Sequence, residues 1–120
     1  MHVYSFEKLE VWKESIQLAI KTYKTTNFFP SEEKFGLTSQ MRRCSISVSS
    51  NIAEGTSRAT NNDKAHLMTM AYSSAIELLN QSIISKELHF ITNDDYLAIR
   101  YEIESITNKI NALRKHFLKT

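Results

Sequence analysis

Four serines crowded between Ser45 and Ser50, four histidines and a single cysteine are the side chains of this chain with nucleophilic, proton-transfer or metal-binding chemistry to offer. A serine hydroxyl becomes a nucleophile only beside a base. The run Cys44-Ser45-Ile46-Ser47-Val48-Ser49-Ser50 has neither a Gly-x-Ser-x-Gly elbow nor a neighbouring histidine. His2, His66, His89 and His116 stand far apart, without the His-x-x-x-His or Glu-x-x-His spacing that sets two ligands on one helical face. Cys44 alone can form neither an internal disulfide nor a multi-cysteine zinc site. Gly36 and Gly55 stand singly, so no glycine-rich loop can cradle a phosphate. The expectation is a protein that is not an enzyme and that uses no metal or cofactor.

Binding chemistry remains, in two constellations. Arg58, Lys64, Arg114, Lys115 and Lys119 are cations that a suitable fold could gather against a phosphate backbone. Gln40, Ser47 and Glu54 lie seven residues apart, with Arg43 and Asn51 between them, so on a helix the five make one polar stripe. Burying such groups singly costs several kcal/mol, of the order of 2–7 each. They are therefore expected to bond to one another, to a second subunit or to a ligand, which leaves open whether the network is structural, interfacial or ligand-binding. A buried Asn on a helical seam is also a device for fixing register and oligomer state.

These residues need helices to position them. Leu9, Trp12, Ile16, Ala19 and Tyr23 recur at spacings of three and four, which predicts a helix from about Phe6 to Thr26 with that stripe facing the core. Ala65, Met68, Tyr72, Ala75 and Leu79 predict another, widened by Leu67, Ala71, Ile76 and Leu78 and capped at Asn61 or Asn62. Tyr96, Ile99, Ile103, Ile106, Ile110, Leu113 and Phe117 predict a last helix, with Asp94 and Asp95 in its first turn. The serine-rich run is ambiguous, because Ser45-Ile46-Ser47-Val48-Ser49 alternates like a strand. No partner strand exists elsewhere, whereas Leu37, Met41, Cys44, Val48 and Asn51 follow a helical seam that ends at Gly55, the expected left-handed cap. Four long helices with short links predict an all-α protein, an antiparallel up-down-up-down left-handed four-helix bundle.

The chain of 120 residues has room for one domain, residues 1–120. Its 42% hydrophobic content suits a globular core, and 2 Gly with 1 Pro leave little material for hairpins. A net charge of +2 permits nucleic acid without demanding it. No segment approaches 18 uninterrupted apolar residues and no export signal precedes the first helix, so no membrane and a cytoplasmic location are expected. For the same reason the sequon Asn80-Gln81-Ser82 reads as coincidence.

The run Gln40-x-Arg42-Arg43 followed by Ser47-Val48-Ser49-Ser50-Asn51-Ile52-Ala53-Glu54-Gly55 and Arg58 resembles the four-helix bundle family encoded within bacterial 23S rRNA intervening sequences. Phe6-x-x-Leu9-x-Val11-Trp12, Phe29-Pro30-x-x-Glu33-x-Phe35-Gly36-Leu37 and Ala71-x-Ser73-Ser74-x-x-Glu77-Leu78 match as well, so the resemblance spans almost the whole chain. Ser49 stands where many members carry proline, and Ser73 where many carry glycine. The resemblance implies a homo-oligomer, a pentameric ring of bundles, and a distant likeness to accessory proteins of diversity-generating retroelements. Those relatives imply a nucleoprotein role, with RNA or a nucleoprotein as partner.

In that topology one end gathers Lys8, Arg58, Lys64, Arg114, Lys115 and Lys119 against Glu7, Glu10, Glu54 and Asp63, six cations to four anions. The other gathers Lys21, Lys24, Lys34 and Lys86 against Glu32, Glu33, Glu87, Asp94 and Asp95, four to five. The expected function is a non-enzymatic oligomeric adaptor that meets structured RNA or a nucleoprotein through its basic end. The alternative is a protein-interaction scaffold whose charges serve solubility alone.

Overall fold

The computed structural model describes residues 1–119. Four helices, α1 (Glu10–Thr26), α2 (Leu37–Thr56), α3 (Asn61–Glu87) and α4 (Asn93–Leu118), account for most of them, with short 3-10 turns at Ser5–Lys8 and Ser31–Glu33. No strand occurs among the described residues. Each helix packs on its sequence neighbours, and α1 closes the ring against α4.

Side-chain pairs fix the helix directions. Along α2 and α3, Ser47 meets Ser74, Cys44 meets Glu77 and Met41 meets Ser85, so the two run antiparallel. Along α3 and α4, Lys64 lies over the Phe117 ring, Thr69 meets Arg114 and Lys86 lies over Tyr96. Lys21 pairs with Glu102 and Glu14 with Lys109, which reverses α1 relative to α4. The starts of α1 and α3 and the ends of α2 and α4 therefore share one end of a body 47 Å long.

The core is built from Leu18 of α1, Met41, Val48 and Ile52 of α2, Met68 and Leu78 of α3, and Ile99, Ile103, Ile106 and Ile110 of α4, all fully buried. Each such side chain contributes about 1.5–3 kcal/mol, enough to hold the serine-rich segment helical against its local strand-like pattern. Ser45 and Ser49 are buried in α2 because their hydroxyls donate to the carbonyls of Arg42 (2.8 Å) and Ile46 (2.9 Å), so neither leaves an unpaired group in the core.

Five local expectations are corrected. α1 starts at Glu10 rather than near Phe6, because the preceding residues form the separate 3-10 turn. Its buried face is Val11, Ser15, Leu18, Thr22 and Thr26, one residue round from the predicted stripe, and Tyr23 is 40% exposed. Ser15, Thr22 and Thr26 tolerate that position because their hydroxyls donate to the carbonyls of Trp12, Leu18 and Thr22 at 2.6–2.8 Å. α3 is capped by Thr60, whose Oγ1 accepts the Asp63 N–H at 3.1 Å, and not by Asn61 or Asn62. Ile76 faces outward from α3, 41% exposed.

Gly55 is the fifth. No glycine has a positive φ, and Gly55 lies buried inside α2. A β-carbon there would stand 2.5 Å from Met68 Cε and 2.8 Å from Leu67 Cβ, so the glycine exists for the close approach of α2 to α3. The left-handed residue is His89, φ 62°, which ends α3 in a Schellman turn: Phe90 N–H donates to the Ser85 carbonyl and His89 N–H to that of Lys86.

Candidate nucleic-acid interface

The Gly55 contact brings the end of α2 against the start of α3, and so brings Arg58 near Lys64. Antiparallel packing adds the end of α4. All five cations singled out in the sequence thus share one end of the bundle, with Arg58, Arg114, Lys115 and Lys119 exposed and Lys64 half-buried. The ion pairs among the described residues join Lys21, Lys86, Arg100 and Lys109 to carboxylates and leave these five out. Their charge is free to meet a ligand, except where neutral partners orient it. Arg114 Nε donates to Thr69 Oγ1 at 2.9 Å, and Lys64 Nζ sits 5.4 Å from the centre of the Phe117 ring.

Beside them is an open concavity of about 580 Å³ lined by Ala112, Lys115, His116, Leu118 and Lys119. A second, of about 340 Å³, shares Ala112 and His116 with it and continues over Lys109 and Leu113 to Leu9, Glu10 and Val11 of the α1 start. Together they form a groove from the α4 terminus to the start of α1. Sequence spacing located the cations but not Thr69 or Phe117, since their partners come from another helix.

The polar stripe of α2 divides. Ser47 and Asn51 are half-buried and bonded: the Ser47 and Ser74 hydroxyls are 2.9 Å apart, and Asn51 Nδ2 donates to the Ser47 carbonyl (2.9 Å) and Oγ (3.1 Å). Gln40, Arg43 and Glu54 are exposed, and among the described residues their side chains join no hydrogen bond or ion pair of this chain. Arg42, one residue away from Arg43, instead closes the end of α1. Its guanidinium donates to Thr26 Oγ1 and Asn27 Oδ1, both at 2.9 Å, and lies 4.6 Å from the Tyr23 ring centre.

Nucleophilic chemistry has no support at Cys44. Burial first, then the Glu77 carboxylate that accepts its S–H at 3.2 Å, push the thiol from 9.0 up to about 11, so it stays protonated at neutral pH. Among the described residues no three His, Cys, Asp or Glu side chains are grouped to hold a metal ion, and no helix is long and apolar enough to cross a membrane.

Fold and site together define an all-α four-helix bundle with a basic, grooved end. The chain belongs to the 23S rRNA-intervening sequence protein family, whose sequence profile matches residues 7–112. Among solved structures it is similar to a protein of unknown function from the S23 ribosomal protein family of Bacteroides thetaiotaomicron VPI-5482. The two are 22% identical with a TM-score of 0.81, over 88% of this chain and 95% of that one, a likeness of fold. No curated protein sequence matches this chain.

Proposed function

We propose that this protein is a non-enzymatic, cytoplasmic homo-oligomer that binds RNA, alone or within a nucleoprotein, through its basic end. The observation that carries the reading is the convergence of Arg58, Lys64, Arg114, Lys115 and Lys119 at one end, outside every ion pair among the described residues. Assembly multiplies it, because each added copy repeats the same patch toward a polyanion. Isoleucines and a methionine that remain 36–45% exposed on α2 and α3, Ile46, Met70, Ile76, Ile83 and Ile84, supply apolar surface for such assembly. A pentamer would weigh about 70 kDa in solution against 13.9 kDa for one chain. A monomeric mass at micromolar concentration refutes the assembly.

RNA binding is tested by a salt titration. If all five cations of a chain meet phosphates, affinity falls about a hundredfold between 50 and 200 mM salt, and the Arg114→Glu, Lys115→Glu double variant loses binding at both. No binding at 50 mM refutes the reading. A second reading, a protein-interaction scaffold, is favoured by the opposite end, where Phe28 and Phe35 are 87% and 88% exposed and Leu88 is half-exposed. Protein capture that survives nuclease and is lost in Phe28→Ser, Phe35→Ser supports it.

A further inference from the structure

The turn leading into α1 carries rings that the core does not use. His2 stands edge-on to Tyr4 with centroids 4.7 Å apart, Tyr4 stacks on Phe6 at 6.2 Å and 23°, and Phe6 meets Trp12 of α1 edge-on at 5.1 Å. Nothing from Ser5 to Lys8 is buried, and Tyr4 is 59% exposed. Tyr4 is nevertheless fixed in place. Its N–H donates to Glu7 Oε2 at 2.7 Å, its carbonyl accepts the Glu7 N–H at 3.1 Å, and Phe6 ties the turn to α1. The turn also packs on α2, at the end that leads to Arg58. An aromatic ladder held rigidly in solvent therefore stands on the α2 side of α1, at the same end of the bundle as Arg58 and Lys64, while the groove with Lys115 and Lys119 runs along the α4 side.

We propose that this ladder, with Tyr4 as its outer platform, stacks unpaired bases, so that the ligand of the basic end is single-stranded nucleic acid or the unpaired loop of a folded RNA. The inference rests on the proposed role of the basic end and names the kind of strand it takes. A duplex offers phosphates but keeps its bases stacked inside. A single strand offers both, and so matches cations and exposed rings gathered at one end of the bundle. Stacking is tolerant of sequence because every base has a π-face, so little base preference is expected.

The test measures anisotropy of the full chain with a labelled 12-nucleotide unstructured RNA and with a 12-base-pair RNA duplex, at 50 mM salt. The single strand is expected to bind at least tenfold more tightly than the duplex. Tyr4→Ala, which leaves the four helices untouched, should lose about tenfold on the single strand, the low end of what one base–aromatic stack contributes, and nothing on the duplex. Tyr4→Trp should retain the affinity, with its emission quenched on binding. Equal affinity for both ligands, or a Tyr4→Ala variant as tight as the parent, overturns the stacking role while leaving the cationic reading standing. Failure to bind either ligand overturns both.

Discussion

Gly55→Ala sets two effects of known sign against each other. Alanine is the better helix former by about 0.8–1.0 kcal/mol, and Gly55 has ordinary helical geometry, so local propensity alone makes the variant more stable. Packing opposes it. The new methyl would stand 2.5 Å from Met68 Cε and 2.8 Å from Leu67 Cβ. The first clash can be relieved by a rotation of the flexible thioether. The second cannot, because a β-carbon moves only with its backbone, so α2 and α3 must separate by more than half an ångström at this point to restore ordinary contact. Overpacking of this kind costs about 1–3 kcal/mol, and the net expectation is a loss of about 1 kcal/mol, or about 4 °C in melting temperature. Urea and thermal unfolding followed by circular dichroism read it directly. Gly55→Asn sharpens the test, since a left-handed cap tolerates Asn whereas a tight helix crossing excludes it more severely than Ala. A stabilised Gly55→Ala, or an Asn variant better than the Ala one, would refute the close-approach reasoning. Because this crossing sets Arg58 against Lys64, Gly55→Ala should also weaken RNA binding at temperatures where the fold is intact.

Three other outcomes follow from single side chains. His89→Gly removes the cost of a side chain at φ 62° and should raise stability by about 1 kcal/mol in the same unfolding assay, whereas a loss would assign His89 a contact of its own. The Cys44 thiol, neutral in the fold up to about pH 11 but ionising near its ordinary 9.0 once unfolded, contributes a stability that is complete below pH 9 and lost as pH rises toward 11. The difference in stability between the parent and Cys44→Ala should therefore shrink across that window, and native Cys44 should resist a thiol reagent at pH 8. Asn51→Leu deletes the amide that joins Ser47 and should stay helical while its oligomer distribution shifts; an unchanged distribution removes Asn51 from assembly.

Helical periodicity made four helices and their order legible, because long apolar stripes leave few other ways to be buried. It failed where polar residues behave as small packing groups. Ser15, Thr22 and Thr26 count as polar in any stripe, yet each hydroxyl is satisfied within its own turn, which let the true face of α1 lie one residue away from the apparent one. Gly55 failed for a related reason: a glycine near a helix end reads as a cap, and only the neighbouring helix shows that it is a contact. The basic end was legible because helix directions alone gather its charges. What orients Arg114 and Lys64 was not, since Thr69 and Phe117 belong to other helices. Tyr4 and Phe6 stood in the sequence as aromatics outside any stripe, and their stacking depends on a turn closed by Glu7.

The RNA and protein readings occupy opposite ends of a body 47 Å long, and that separation makes them independent. Arg58, Lys64 and the end of α4 lie with the start of α1, whereas Phe28 and Phe35 lie in the α1–α2 connection, which the Phe29–Phe90 ring contact at 5.6 Å ties to the α3–α4 connection. The distance exceeds several Debye lengths at physiological salt, so charge at one end has little direct influence at the other. Arg114→Glu with Lys115→Glu should therefore abolish RNA binding and leave protein capture intact, and Phe28→Ser with Phe35→Ser should do the reverse. An adaptor requires both losses to be separable. Loss of both activities from either pair, with the helices intact, would mean that one partner is carried by the other, and the bundle would then have one working end.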